Sequence, residues 1–173
     1  MTTQPAMSTN KSRSEQAAPP GAVTSLAAAT TGASVPDRAT ANADVVKAIY
    51  AAFAKNDVPT ILSKLRDDVV WEFGYPHNSD IPWLKTGRGH DHVAGFFATL
   101  RGFRFDRFEV IDVLASEEWV VGLIALDITW TATGGRIVEA CLPHVWRFDE
   151  SGLVASYRNG ADTRQHARAL QAK

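Results

Sequence analysis

The stretch from Phe103 to Asn159 limits the possible folds more than any other part of the chain. FRFDRFEVIDVLA alternates apolar and polar side chains, and EEWVVGLIALDITWTAT is rich in β-branched and aromatic residues. RIVEACLPHVWRF follows, and LVASYRNGA closes the run. Such alternation gives a strand one face for a core and one for solvent. Thr133-Gly134-Gly135-Arg136 reads as a two-residue hairpin turn, and Asp149-Glu150-Ser151-Gly152 as a second turn. Strands joined by short turns form an antiparallel meander, whose apolar face needs a cover.

The cover is found upstream. In ADVVKAIYAAFAKND, Val45, Ile49, Ala52 and Phe53 recur at helical spacing, and Asn42 or Asp44 can cap the start. Asn56-Asp57 ends this helix. Asp57 then caps a second, short one with Pro59 in its first turn. Asp67-Asp68 leads into the strand VVWEF, and GYPHNSDIPWLKTGRG is a loop by its Gly, Pro, Asn and Ser content. HDHVAGFFATL is a third helix with Val93, Phe96, Phe97 and Leu100 on its apolar side, and Asp162-Thr163 opens a closing helix. Helices, a strand, a helix and then a meander make an α+β domain.

Residues 1–41 contain no aromatic residue and are rich in Ala, Thr, Ser and Pro. Such a segment buries too little apolar surface to offset the entropy of ordering it, so a disordered tail is expected there and a domain over residues 42–173. A formal net charge of -1 gives no reason to expect nucleic acid or an anionic membrane as a partner. No run is apolar and long enough to cross a bilayer, and Glu15, Gln16, Pro19 and Pro20 interrupt any signal-peptide pattern after Lys11 and Arg13. A cytoplasmic protein is the expectation. The single cysteine, Cys141, excludes an intrachain disulfide and reads as a small buried hydrophobe. The five histidines show no metal-ligand spacing, so no metal and no cofactor is expected. His90, His92 and His166 read as surface residues. GxGxxG, P-loop, GxSxG and CxxC patterns are absent.

Strand parity brings polar residues together. If Thr133 pairs with Arg136, Asp127 lies opposite Leu142 and His144 opposite Ala125, so Asp127 and His144 are diagonal neighbours on one face. The next turn adds Tyr157 opposite His144 and Asn159 opposite Leu142, with Leu123 and Trp146 on the same face. Pro143 inside this strand marks an edge or a bulge. The other face would carry Ile124, Leu126, Ile128, Trp130 and Val145, too much apolar surface for a monomer, so a homodimer through the sheet is expected.

Three segments, VKAIYAAFAKNDVPTILSKLRDDVVWEF, IPWLKTGRGHDHVAGFFATL and HVWRFDESGLVASYRNGADT, resemble the nuclear transport factor 2-like superfamily and, within it, the SnoaL-like proteins. The resemblance implies a cone-shaped, curved antiparallel sheet with helices packed around an apolar pocket. It spans polyketide cyclases, ketosteroid isomerases, limonene epoxide hydrolases, dehydratases and proteins without activity, so it specifies fold better than reaction. By the same resemblance His144 stands where ketosteroid isomerases hold an oxyanion-hole acid, and Asp127 where epoxide hydrolases hold a triad aspartate. Both would point into the cavity, as would Trp71 and Phe73. Tyr75, His77 and Trp83 would cover its mouth. Ala125 and Asn159 occupy the other two triad places, which argues against epoxide hydrolysis. A steroid isomerase would want a carboxylate near Phe73 and a tyrosine at Ile49, and neither is present.

These readings converge on a cofactor-independent enzyme for a hydrophobic cyclic or aromatic small molecule, working by acid–base chemistry: cyclisation, isomerisation or dehydration. His144 and Asp127 would be catalytic. Trp71, Phe73, Tyr75, His77, Trp83, Phe97, Trp146, Tyr157 and Asn159 would bind substrate. A non-catalytic small-molecule-binding module stays open as the alternative, as does a purely structural Asp127–His144 pair.

Overall fold

The computed structural model describes residues 35–74 and 80–172. The expected tail therefore lies outside the described residues up to position 34. Helix α1 runs from Val35 to Phe53, so it begins before Asn42 rather than being capped there. Asn42 sits inside the helix, buried, and its Nδ2 donates to the Glu117 carbonyl at 2.9 Å. Val46, Ile49, Tyr50 and Ala52 form the buried stripe of α1.

Helix α2, Val58–Leu62, starts as expected at Asp57, whose carboxylate accepts from the Thr60 amide at 3.1 Å. Strand β1 spans Leu65–Phe73 and β2 is the short Gly87–Arg88. Helix α3, Gly89–Thr99, and a 3-10 turn at Leu100–Gly102 lead into β3, Phe103–Ala115. Strands β4, Trp119–Trp130, β5, Gly135–Phe148, and β6, Val154–Asn159, complete the meander. Helix α4, Thr163–Gln171, closes the chain, with Asp162 accepting from the Arg164 and Gln165 amides.

The six strands form one mixed sheet in the order β2-β1-β6-β5-β4-β3. The meander is antiparallel, as its short turns require, but β1 pairs with β6 in parallel. These two strands are far apart in sequence and have no hairpin to set them antiparallel. The fold is α+β, an open, curved sheet with helices on its concave face, and the core lies between them.

The β4–β5 register differs from the one expected of a Gly134-Gly135 turn. Trp130 pairs with Gly135, and the turn takes up Thr131–Gly134. Only Gly134 has a positive φ, +75°. Gly135 is a strand residue that lacks a Cβ because α4 lies on it: a methyl there would meet the Ala169 backbone at 2.3 Å. Farther along, Ile124 pairs with Leu142 but Leu126 with Glu139. Two residues of β5, Ala140 and Cys141, thus oppose one residue of β4, a β-bulge. Buried positions on β5 switch there from odd to even numbers: Ile137 precedes the bulge, and Leu142, His144, Trp146 and Phe148 follow it. Cys141 is exposed at the bulge rather than buried.

The bulge corrects two expectations. Even-numbered residues of β4 face inward, so Ile124, Leu126 and Ile128 belong to the chain's own core and do not form an outer face. Gly122, not Ala125, lies opposite His144.

The two turn glycines should respond differently to alanine. Gly134→Ala has open space and is expected to cost about 1 kcal/mol from its positive φ alone. Gly135→Ala must push α4 outward, costing about 1–3 kcal/mol, and should also raise protease cleavage within residues 163–171. Denaturant titration and limited proteolysis of both variants check this.

Candidate functional site

The concave face of the sheet and helices α1 and α3 enclose a cavity of about 90 Å³. A second hollow of about 560 Å³ adjoins it, and Phe53, Phe97, Leu100, Phe103, Phe105 and Phe108 line both. The two hollows share this largely aromatic wall, and the smaller is the inner chamber.

The inner wall is almost wholly apolar. Trp71 stacks on Tyr157 at 4.0 Å, and Trp146 lies 4.4 Å from Tyr157. No Asp or Glu lines the inner chamber among the described residues. Its polar groups fall into two clusters. In the first, Asn159 Nδ2 donates to the Tyr157 hydroxyl at 3.1 Å and faces His144 Nε2 at 3.3 Å. His144 Nδ1 faces the Tyr50 hydroxyl at 3.3 Å, and Trp146 Nε1 donates to that hydroxyl at 3.2 Å. With Nε2 accepting from Asn159, Nδ1 carries the imidazole proton and donates to Tyr50. Tyr50 then accepts twice and keeps its own proton to give. Gly122 makes room for this hydroxyl, since a Cβ there would lie 2.1 Å from it.

In the second cluster Trp83 Nε1 donates to His166 Nδ1 at 2.8 Å, beside Phe103 and Trp130. The expectation that His166 lies on the surface is overturned, because it is 4 % exposed. The apolar stripe of α4 turns it and Ala169 inward.

Burial decides the protonation of these groups. Desolvation by burial lowers the His144 pKa from 6.5 to about 3. His166 falls to about 4 for the same reason, opposed by the Asp162 charge. Desolvation raises both Tyr50 and Tyr157 far above their ordinary value. At neutral pH the cavity therefore presents neutral imidazoles and protonated phenols.

Asp127 is not among them. It projects from the outer face of β4, where its carboxylate pairs bidentately with the Arg136 guanidinium, and this hydrogen bond holds its pKa below the usual carboxylate range. The expected Asp127–His144 neighbourhood does not form, because the bulge puts the two residues on opposite faces. Of the other sequence candidates, Trp71, Phe73, Trp83, Phe97, Trp146, Tyr157 and Asn159 all line the inner chamber with His144. Tyr75 and His77 lie outside the described residues. Sequence reading missed Tyr50 and His166. Tyr50 follows Ile49, the position inspected for a tyrosine, and both residues reach the cavity. No group of three or more described His, Cys, Asp or Glu residues is placed to hold a metal ion. No described helix is long and apolar enough to cross a membrane.

The SnoaL-like domain model matches residues 46–157. The chain belongs to the SnoaL-like family, within the nuclear transport factor 2-like superfamily. No curated protein matches the sequence. Among solved structures, this SnoaL-like chain is similar to an NTF2-like protein of unknown function from Burkholderia pseudomallei. That pair has 27% identity and a TM-score of 0.66, covering 76% of this chain and 98% of that one. It also shares its fold with TerC, a protein co-crystallised with polyporic acid, at 20% identity and a TM-score of 0.64, covering 76% and 99% of the two chains. A putative polyketide cyclase from Xanthomonas campestris has the same fold at 14% identity, a TM-score of 0.60 and coverage of 78% and 99%.

The depressed histidines make this SnoaL-like domain sensitive to acid. The unfolded chain binds a proton at each histidine near pH 6.5, and the folded chain only near 3 or 4. Stability is thus full above pH 6.5 and lost as pH falls, by about 1.4 kcal/mol per pH unit for each histidine. Denaturant titrations between pH 7 and 5 should show this slope, and His144→Gln should roughly halve it.

Proposed function

We propose that this SnoaL-like domain is a cofactor-independent enzyme that takes a hydrophobic cyclic or aromatic carbonyl compound into the cleft and moves a proton next to the carbonyl. Cyclisation, isomerisation and dehydration all begin with that step. The observation carrying the reading is the Tyr50–His144–Asn159–Tyr157 cluster, the main polar patch on a wall otherwise built of aromatic and aliphatic side chains. An apolar cavity with a few convergent polar groups is the usual form of a small-molecule site. Two structural neighbours, one described as a putative polyketide cyclase and one co-crystallised with polyporic acid, are consistent with small-molecule work on this fold.

In this reading His144 is the acid–base group. The neutral imidazole takes the proton from carbon at Nε2, which exchanges its resting hydrogen bond from Asn159 for the substrate, and Tyr50 or Tyr157, both kept protonated by burial, donates to the oxygen as it gains charge. Asn159 orients the imidazole and sets its tautomer. Asp127 has no part in the step. A second reading, a binding module without catalysis, is favoured by one observation: among the described residues His144 has no carboxylate partner to stabilise its imidazolium.

Exchange of the α-protons of 1-tetralone in D2O, followed by NMR, separates the two. Catalysed exchange is expected, with a rate flat from pH 8 to 5 because His144 titrates near 3. His144→Gln should slow it by roughly a hundredfold, while Asp127→Asn leaves it unchanged. Binding of the ketone without exchange above background would leave the binding module as the function.

The reading includes a homodimer through the sheet, now on different residues. Leu114, Trp119 and Val138 project from the outer face at 54%, 44% and 45% exposure, around Val121, Leu123 and Val145. Light scattering at micromolar concentration should report a dimer, and Val138→Glu should shift it to monomer.

A further inference from the structure

Three buried side-chain polar atoms among the described residues lack a hydrogen-bond partner: Trp71 Nε1, Asn159 Oδ1 and His166 Nε2. All three belong to residues that line the inner chamber. An orphaned buried polar atom costs stability, typically about 1–3 kcal/mol, so three on residues that line one cavity call for an explanation. Their chemistry is complementary. Asn159 Oδ1 accepts, while Trp71 Nε1 can only donate. His166 Nδ1 already accepts from Trp83, so in the neutral ring Nε2 carries the proton and donates.

These atoms stand at two separate places. Asn159 pairs with His144, at the far half of β5. His166 belongs to α4, which docks at the other half: Gln165 hydrogen bonds Val138, and Ala169 covers Gly135. Val138 and His144 are six residues apart on β5, roughly 20 Å of extended strand, less the curvature and the inward reach of both side chains.

From this placement we infer that the cleft recognises an elongated, flat apolar compound bearing an oxygen at each end, one met by Asn159 and Trp71, the other by His166 Nε2–H. The inference rests on the small-molecule reading above and sharpens its substrate class. His166, held by Trp83, is a specificity-determining residue. It does not take part in the proton transfer at His144.

Calorimetric titration with 4-hydroxybiphenyl and 4,4′-dihydroxybiphenyl tests this. Both should bind, and the second hydroxyl should raise affinity about fivefold to tenfold, as one neutral hydrogen bond does. His166→Leu should abolish that advantage, so that the two compounds bind alike, and His166→Gln, which can both accept from Trp83 and donate, should restore it. Comparing two ligands on the same variant cancels any general loss of packing. Should His166→Leu fail to fold, 15N-labelled histidine in the unmodified protein gives the same answer. The Nε2 resonance of His166 should shift with the dihydroxy compound and not with the monohydroxy one. Equal affinities for the two compounds, or an advantage that survives His166→Leu, would overturn the two-ended site and leave the small-molecule reading standing. Failure of both to bind would remove both.

Discussion

Opposite Ala125, strand β5 carries two residues, Ala140 and Cys141, and the interior of the domain depends on that one extra residue. Side chains on a strand alternate with a period of two, so a slip by one exchanges the core face for the solvent face. Before the bulge Ile137 points inward, and after it Leu142, His144, Trp146 and Phe148 do. Without the bulge His144 would share a face with Asp127, Val121 and Leu123. With it, His144 joins Gly122 and Ile124 on the concave side, beneath Tyr50 of α1. The electrostatics of the cavity follow from this. The carboxylate stays outside, paired with Arg136, and the imidazole enters alone.

An imidazole buried without a counter-charge stays neutral, and the two tyrosines stay protonated. The cavity therefore works with hydrogen bonds, and ion pairs have no part in it. The described lining of the inner chamber carries hydrogen-bonding groups and no Asp or Glu. It also costs the fold something: unsatisfied donors and an acceptor remain among the lining residues. The unmet hydrogen bonding among the described side chains thus lies on residues of the cavity wall, while Asp127 on the outer face is paired with Arg136.

Glycines show the same economy of space. Gly122 admits the Tyr50 hydroxyl, and Gly135 admits the backbone of α4. The first lets the hydroxyl reach His144, and the second lets α4 carry His166 to the cavity. In both places the glycine is required by what approaches it and not by its own backbone angles. That is why Gly134-Gly135 misleads as a turn signal: only Gly134 turns the chain.

The sequence by itself determined the element order, the α+β class, the caps at Asp57 and Asp162, and most of the aromatic lining of the pocket. These follow from local rules: periodicity of apolar residues, capping chemistry, and the alternation that puts Trp146 and Tyr157 on one face with His144 and Asn159. Which polar groups meet was decided only by the tertiary structure. Register across β4 and β5 is a relation between two strands, set by a bulge and by a helix that lies on Gly135, and neither leaves a local mark beyond Pro143. His166 reads as a surface residue on an amphipathic helix until Trp83, more than eighty positions earlier, is found donating to it. Asp127 in an apolar strand reads as buried until Arg136 is found beside it in space.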